Sequence, residues 1–257
     1  CYAQLDPDAI AAIDGVNLVI GTNNRSKIVE LVEQLESTER QINAVRDIMK
    51  ESNFEEMPLF GNESDKARAF MKIQEGCNNY CSFCIIPYTR GKLKSRKIED
   101  IVEEAKRLVD HGFHEIVLTG IHLGNYGVEL PGRPTLADVV KALLEIPELY
   151  RIRFGSIESV EVSDELVELM ATDKRVCPNL HLPLQAGSDH VLKLMRRHYT
   201  LQEYKDLIAK LRSRIKDLSI TTDIIAGFPQ ETDEDFEETL NTVREIGFTH
   251  IHAFPYS

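Results

Sequence analysis

The stretch FMKIQEGCNNYCSFC, residues 70–84, sets an apolar run directly before three of the chain's five cysteines. The run FMKIQE is typical of a short strand, and Cys77, Cys81 and Cys84 follow it with the spacing C-x3-C-x2-C. Thiolates clustered on one loop favour a soft metal centre, and iron–sulfur clusters are held in this way. A four-iron cluster with only three protein thiolates keeps one iron open to a small molecule. An open iron suggests catalysis.

Two other interpretations of the three thiols stay open, namely a structural zinc completed by a distant His or Cys, and incidental buried thiols. The odd total of five cysteines argues against a disulfide framework, and clustered thiols suit a reducing, cytoplasmic setting. The start CYAQLDPDAI lacks the basic and apolar regions of a secretory signal. Because no apolar run approaches the ~18 residues of a membrane span, we expect no membrane association.

Beyond the cysteines, short apolar runs alternate with helical patterns, which predicts a parallel sheet. The six candidate strands are FMKIQE (70–75), EIVLTGI (115–121), RIRFGSI (151–157), LHLPLQ (180–185), SITTDIIAG (219–227) and HIHAFPYS (250–257). Capping-box patterns predict helices that begin after Thr200 and Thr232. We therefore predict an α/β fold, an open six-stranded parallel (β/α)6 partial TIM barrel.

Glycines lie at or just past the ends of these strands, where barrels carry their chemistry. They are Gly76, Gly120, Gly155, Gly187 and Gly227. A glycine there lets a ligand approach the backbone, although for any single one of them the favoured interpretation is that it just ends a strand.

The first part of the chain predicts the tail of a small α/β domain. GVNLVIG (15–21) reads as a buried strand, and RSKIVELVEQL (25–35) places Ile28, Leu31, Val32 and Leu35 on one helical face. Apolar periodicity fades between 41 and 66, which indicates a linker. We assign residues 1–60 to the small domain plus linker and 61–257 to the barrel. The first residue is Cys1 and the last run is a strand without a following helix, so we expect a piece of a longer protein.

The net charge of −12 disfavours a generally basic nucleic-acid binder. Residues 85–97, IIPYTRGKLKSRK, nevertheless carry five cations and no acid: Arg90, Lys92, Lys94, Arg96 and Lys97. Either this is a solvated basic loop, or it contacts a phosphate beside the cysteines.

The segment GCNNYCSFC resembles the signature of radical S-adenosylmethionine (SAM) enzymes. Five longer segments resemble one branch of these enzymes, the methylthiotransferases that act on tRNA or on a ribosomal protein. The five segments are KIQEGCNNYCSFCIIPYTRG, EIVLTGIHLGNYG, HLPLQAGSD, LMRRHYT and DIIAGFPQETDEDF. The resemblance implies that Cys77, Cys81 and Cys84 hold a 4Fe–4S cluster whose free iron chelates SAM. Reductive cleavage of SAM then yields a 5′-deoxyadenosyl radical, a step that acid–base residues cannot perform.

The resemblance also assigns SAM contacts to residues in the cysteine loop and at the later strand ends. These candidates are Phe83, Gly120, Gln185, Ser188, Arg197, Ile225 and Gly227. Arg197 is the one that can bind a carboxylate through two parallel hydrogen bonds. Packing within the loop is the alternative for Phe83, and a surface charge is the alternative for Arg197.

Cys1 resembles the third cysteine of the family's amino-terminal domain, which completes a second cluster. Its two partner cysteines would lie upstream, so we expect two clusters in the intact protein and one in this chain. Cys177 matches no motif and reads as a buried small hydrophobe.

The family resemblance implies a tRNA substrate, a further basic RNA-binding domain and an electron donor such as flavodoxin. Within the branch, EIVLTGIHLGNYG most resembles the enzymes that modify threonylcarbamoyladenosine. The alternatives are enzymes for isopentenyladenosine or a ribosomal protein, a radical SAM enzyme acting on a small molecule, and a non-enzymatic cluster module that binds RNA.

Overall fold

The computed structural model describes residues 1–38, 40–57 and 67–257. We call the described residues up to 57 the N-terminal segment. Its elements are α1 (Tyr2–Leu5), α2 (Pro7–Ala11), β1 (Leu18–Val19), α3 (Ile28–Thr38) and β2 (Ile42–Asn43), with short 3-10 turns at Arg25–Lys27 and Ile48–Lys50. β1 and β2 pair in parallel across α3, which makes a small βαβ unit.

The rest of the chain alternates strands and helices. In chain order it contains β3 (Arg68–Lys72), β4 (Gln74–Glu75), α4 (Ile86–Arg90), β5 (Lys94–Ser95), α5 (Ile98–Asp110), β6 (Glu115–Thr119), α6 (Leu136–Leu144), β7 (Arg151–Phe154), α7 (Asp164–Thr172), β8 (Asn179–His181), α8 (Asp189–Leu194), α9 (Leu201–Arg214), β9 (Ser219–Ala226), α10 (Asp233–Ile246) and β10 (His250–Pro255). None of the described helices has the length and apolar composition that crossing a lipid bilayer requires.

Six of these strands form the barrel. β3, β6 and β7 are parallel neighbours, and so are β8, β9 and β10. Single bridges, Ile152 to Val176 and Ser156 to His181, join the two groups between β7 and β8. Among the described residues β3 and β10 share no ladder, so the barrel is open. The predicted α/β fold with a parallel sheet is confirmed.

One apolar core fills the space between the sheet and its helices. On β9, Ile220, Thr222 and Ile224 are buried, and they alternate with more exposed residues that face the barrel interior. The predicted capping boxes at Thr200 and Thr232 are both present. These boxes fix where α9 and α10 begin, because each satisfies backbone amides that the helix leaves without partners.

The first barrel strand is shorter than the run FMKIQE suggested. It ends at Lys72, and Gln74–Glu75 instead pair antiparallel with Lys94–Ser95. This small ladder closes the base of the loop that carries the three cysteines.

The N-terminal segment departs from the sequence interpretation in two ways. α3 forms as predicted, but none of its residues is buried, and Ile28 and Val32 are exposed. The linker predicted from 41 contains β2 and the turn Ile48–Lys50, whose Ile48 is 4% exposed. The domain boundary at 60/61 lies outside the described residues and stays a prediction.

Candidate active site

The cysteine loop leaves the barrel through a glycine that no other residue can replace without strain. Gly76 has a φ of +78°, and a Cβ built on it would lie 1.9 Å from the carbonyl oxygen of Lys92. The next residue, Cys77, donates its backbone N–H to the carbonyl of Gly91 at 3.1 Å. The two arms of the loop are therefore in backbone contact at its base, and the space between them admits only a hydrogen.

The far side of the loop is tied to the end of α8. Ser82 donates its backbone N–H to the carbonyl of Met195 at 3.1 Å and its hydroxyl to the carbonyl of Leu194 at 2.8 Å. Within the loop, the backbone N–H of Cys84 donates to the carbonyl of Cys81. These bonds fix the backbone between the second and third cysteines.

The three thiols are half-buried and lie close enough to affect one another. Burial raises the pKa of both Cys81 and Cys84, and the neighbouring sulfur of Cys77 raises both further. Thiols with raised pKa values hold their protons at neutral pH in the absence of a cation. A bound metal replaces those protons, since thiolates are the ligating form.

A buried histidine lies beside Cys77. His122, from the loop after β6, has its Nδ1 3.6 Å from the Cys77 Sγ, and its Nε2 bonds the Glu161 carboxylate. The side-chain amides of Asn79 and Asn125 lie 3.3 and 3.1 Å from the same Nε2. Burial alone would lower the pKa of His122, but the hydrogen bonds to Cys77 and Glu161 outweigh it and raise the pKa to about 10.

A buried arginine lies beside Cys81 in the same manner. Arg197 has its Nη1 3.2 Å from the Cys81 Sγ, while its Nη2 pairs with the Glu158 carboxylate. Its guanidinium also lies over the Tyr199 ring, 5.1 Å from the centroid. Two of the thiols thus each contact a basic side chain, and each of these is held by a glutamate from the loop after β7. Donors that contact a metal ligand in this way orient and stabilise metal-bound thiolates.

The donor set suits a cluster better than a single zinc ion. Among the described residues, only His181, Asp223 and His252 bring three potential ligand atoms within 4.8 Å of one another. Two sulfurs on one zinc are at most about 4.6 Å apart, because the Zn–S bond is about 2.3 Å. At least one pair of the three thiols is farther apart than 4.8 Å, so the three sulfurs fit a centre larger than one zinc ion. Neither remaining cysteine offers a fourth thiolate at this loop.

These remaining cysteines lie elsewhere. Cys177 is 6% exposed in the core and donates its backbone N–H to Ile152, near the amino-terminal end of the barrel. It is the buried small residue that the sequence predicted. Cys1 is exposed just before α1, and α1 contacts α4, the helix that follows the cysteine loop. Its role as a ligand of a second cluster stays a prediction.

Three of the predicted SAM contacts come together at the ends of β8 and β9. Gln185 has a φ of +68° and donates its backbone N–H to Asp223, while its carbonyl accepts from the N–H of Ile225 at 2.8 Å. Gly227 follows with a φ of +78°, and a Cβ there would meet nothing within 4 Å. The backbone at this strand end is therefore open to a ligand.

The other predicted SAM contacts are distributed around the loop. A Cβ on Gly120 would lie 2.9 Å from the Cβ of Gln74. Phe83 packs edge-on against Phe228, with ring centroids 6.5 Å apart. Ser188 is buried and donates its hydroxyl to the Asp235 carboxylate at 2.5 Å, so that hydroxyl already has a protein partner. The assignment of these residues to SAM stays a prediction.

The five basic residues of 85–97 separate into two groups. Lys94 and Arg96 are 4% and 5% exposed. Lys94 donates to the carbonyl of Arg90, and Arg96 pairs with Glu104 and Glu56. The structure therefore argues against RNA contacts through Lys94 and Arg96, because buried, paired cations do not reach a phosphate. Arg90 is half-buried and pairs with Glu75 at 3.6 Å, while Lys92 and Lys97 are exposed.

Several residues that build this site were not singled out from the sequence. Gln74 is fully buried and accepts the backbone N–H of His122 at 2.6 Å while donating to the carbonyls of Glu75 and Gly76. It joins the base of the cysteine loop to the loop after β6. Its position directly before the loop was the one available signal. His122, Glu158 and Glu161 gave none, because their partners are distant in sequence.

Comparison with known proteins identifies the family. The sequence pattern of the Radical SAM superfamily matches residues 71–243, about two thirds of the chain. The chain belongs to the radical SAM superfamily. This membership confirms the predicted cofactors, a 4Fe–4S cluster and SAM, and it makes the chain part of an enzyme.

Relatives named as tRNA methylthiotransferases or as tRNA methylthio-nucleoside synthases align along this chain. The threonylcarbamoyladenosine tRNA methylthiotransferases MtaB of Bacillus subtilis and Aquifex aeolicus are 43% and 38% identical over 100% of the chain. A tRNA-2-methylthio-N(6)-dimethylallyladenosine synthase of Thermoanaerobacter sp. is 43% identical over 94% of it. The chain spans 57%, 62% and 51% of these relatives, respectively.

Solved radical SAM structures share the fold. The apo form of the cobalamin-dependent SAM radical enzyme OxsB aligns with 95% of this chain and 37% of its own at a TM-score of 0.62 and 14% identity. The radical SAM methyltransferase TsrM from Kitasatospora setae aligns with 72% of this chain and 36% of its own at a TM-score of 0.60 and 16% identity. At these identities the likeness concerns the fold alone.

Proposed function

We propose that the protein to which this chain belongs is a tRNA methylthiotransferase. It would insert a methylthio group at C2 of N6-threonylcarbamoyladenosine in the anticodon loop. The supporting observation is the alignment of relatives named MtaB with the full length of the chain, at 43% and 38% identity. Relatives named for dimethylallyladenosine reach the same 43% identity but leave part of the chain unmatched, at 94% coverage. They are the second candidate.

In this proposal Cys77, Cys81 and Cys84 hold the cluster through their sulfurs. When bound, the cluster supplies the electron that cleaves SAM reductively to a 5′-deoxyadenosyl radical. The side chains around the loop have a positioning role. Arg197 holds the Cys81 sulfur from one side at 3.2 Å, and His122 approaches Cys77 from another at 3.6 Å. Both are held by half-buried glutamate partners, Glu158 and Glu161.

The backbone at the carboxyl ends of the strands would receive SAM. Gly227 supports this assignment, because its missing Cβ leaves open space beside Ile225 and Gln185. Phe83 and Phe228 form an apolar edge next to the cysteine loop. Such an edge excludes water from the adenosine side of a bound cofactor, which protects a reactive intermediate from side reactions.

The tRNA would approach over the face that carries the cysteine loop. Lys92 and Lys97 are the exposed cations of residues 85–97, and they would contact phosphates near the target nucleotide. The target base must leave its stack to reach the barrel, as bases do in other enzymes that act on them. We also propose a second cluster that uses Cys1 in the whole protein, a cytoplasmic location, and a flavodoxin-like electron donor.

The full-length protein, expressed in a strain that lacks tRNA methylthiolation, tests this function. Mass spectrometry of tRNA nucleosides should detect the methylthio derivative of threonylcarbamoyladenosine, and a Cys77→Ala variant should abolish it. Exclusive methylthiolation of isopentenyladenosine would favour the second candidate. Modification of a ribosomal protein alone would assign the third branch.

A second measurement separates an enzyme from a non-enzymatic cluster module. The reconstituted protein with dithionite and SAM should release 5′-deoxyadenosine. A reconstituted, cluster-containing protein that releases none would contradict any radical SAM activity, whatever its substrate.

A further inference from the structure

A second group of metal-ligating side chains lies inside the barrel, outside the cysteine site. His181 is on β8, Asp223 on β9 and His252 on β10, and the three ligand atoms all lie within 4.8 Å of one another. The strand register explains this proximity. His181 pairs with Thr221 and His252 pairs with Asp223, so three adjacent strands present these side chains on one face. That face is the barrel interior, because the alternate residues Ile220 and Ile224 belong to the core under the helices.

The hydrogen bonds of the group leave ligand atoms available. The Nδ1 of His181 lies 2.8 Å from the Thr221 hydroxyl, and its Nε2 lies 3.1 Å from Oδ2 of Asp223. Among the described residues, His252 has no hydrogen-bond partner, and its ring contacts are with His181 and His250. Bonding of one imidazole nitrogen to a neighbour, with the other turned to a shared centre, is the usual arrangement of a metal-binding histidine.

We propose that His181, Asp223 and His252 form a binding site for a divalent transition-metal ion such as Zn²⁺. Two imidazoles and one carboxylate are the ligand set of several zinc and non-haem iron sites with open coordination positions. The two neutral imidazoles and the single carboxylate neutralise half of the ion's charge. The remaining positions face the barrel interior, where water or an oxygen of an anionic ligand completes the coordination.

A structural histidine–aspartate pair elsewhere in the chain provides the matched comparison. His190 has its Nδ1 2.9 Å from Oδ2 of Asp235, much like His181 and Asp223. In the part of the chain that the structure describes, this second pair has no third ligand close enough to complete a group of three. If a histidine–carboxylate pair alone were enough to bind zinc, both places would bind it. The third ligand, His252, distinguishes the two.

Zinc binding to the whole chain tests the proposal by isothermal titration calorimetry. The thiols would bind zinc themselves, so the measurements use a chain in which Cys1, Cys77, Cys81 and Cys84 are changed to Ser. This chain should bind one Zn²⁺. His252→Ala or Asp223→Asn should weaken zinc binding by more than the roughly 10–100-fold that is typical when a hydrogen-bond partner of a ligand is removed. Thr221→Val, which removes only the partner of His181, should weaken it by about 10-fold. His190→Ala should bind like the parent.

Circular dichroism of each variant checks the fold, and His252 is exposed, so its loss does not disturb the core. Failure of the cysteine-free parent to bind zinc would overturn the proposal. Affinity unchanged by His252→Ala, or reduced equally by His190→Ala, would overturn it as well. None of these outcomes depends on activity toward tRNA or on the iron–sulfur cluster.

Discussion

In the barrel, α5 buries Ile101, Ala105 and Leu108 under the sheet, whereas α3 of the N-terminal segment buries none of its side chains. Polar contacts connect the N-terminal segment to the barrel. Arg25 pairs with Glu75, Glu56 pairs with Arg96, and the Thr22 hydroxyl donates to the carbonyl of Thr89. The two helices have similar apolar periodicity, but they differ in burial because only α5 has a surface to pack against. We expect the barrel to dominate the unfolding free energy.

The guanidinium of Arg96 joins the two regions. Its two glutamate partners should differ most in how much they contribute to the unfolding free energy. Its partner Glu104 is in the barrel with a side chain 5% exposed, and its partner Glu56 is in the N-terminal segment at 45%. Glu104→Gln should lower the unfolding free energy by about 3–5 kcal/mol, since it removes the buried partner of a buried cation and leaves only the exposed Glu56. Glu56→Gln should cost less than about 1 kcal/mol, as for exposed pairs. Urea unfolding measures both, and equal losses would contradict the comparison.

Truncation of apolar side chains tests the same contrast without charge. Ile152→Ala removes a fully buried side chain from β7 and should lower the unfolding free energy by about 2–5 kcal/mol. Val29→Ala, on exposed α3, should change it by less than about 0.5 kcal/mol. A loss above 1 kcal/mol for Val29→Ala, by the same assay, would mean that α3 is covered in solution by a surface absent from the described residues.

Two glycines of the barrel with similar positive φ separate steric contact from backbone strain. Gly76 has the Lys92 carbonyl in the place of a Cβ, while Gly112, with a φ of +90°, has nothing within 4 Å. Both Gly→Ala changes place alanine at a positive φ, so both variants carry the same kind of backbone strain. Gly76→Ala should lower the unfolding free energy by about 1–3 kcal/mol more than Gly112→Ala, because its new methyl group also overlaps the Lys92 carbonyl. Gly76→Ala should also bind less iron after reconstitution. Normal iron content in this variant would show that the loop base can move.

Acid should weaken the barrel through Asp235. Hydrogen bonds from Ser188, His190 and Thr232 lower the pKa of this carboxyl. Its contribution is complete above the unfolded pKa of about 3.9 and is lost as the pH falls through the lower folded value. Asp235→Asn should therefore cost about 1–2 kcal/mol at pH 7, and its difference from the parent should shrink below about pH 4.

Asp138 is the control for Asp235, because it has the same third position in a capping box at the start of α6 without the serine and histidine partners. Asp138→Asn should cost less than Asp235→Asn, measured by urea unfolding across the same pH range. A larger loss at Asp138 would assign the effect to the helix cap alone.

The sequence predicted the parts of the fold that depend on local patterns. Six strand runs, the helical faces between them and the caps at Thr200 and Thr232 are set by residues within a few positions of one another. Local patterns predicted burial less well at positions where a residue distant in sequence covers the side chain. Charged residues of a surface helix usually face water, yet Glu104 on α5 is buried because Arg96 lies against it.

By itself the sequence determined the open parallel barrel, the superfamily and the three thiols, because apolar periodicity and cysteine spacing are local properties of the chain. Only the tertiary structure decided what surrounds those thiols. Arg197 reaches Cys81 across 116 positions and His122 reaches Cys77 across 45. It likewise decided which cations are free and that three strands present His181, Asp223 and His252 together. Contacts between such distant residues depend on how the strands register, which no local pattern records.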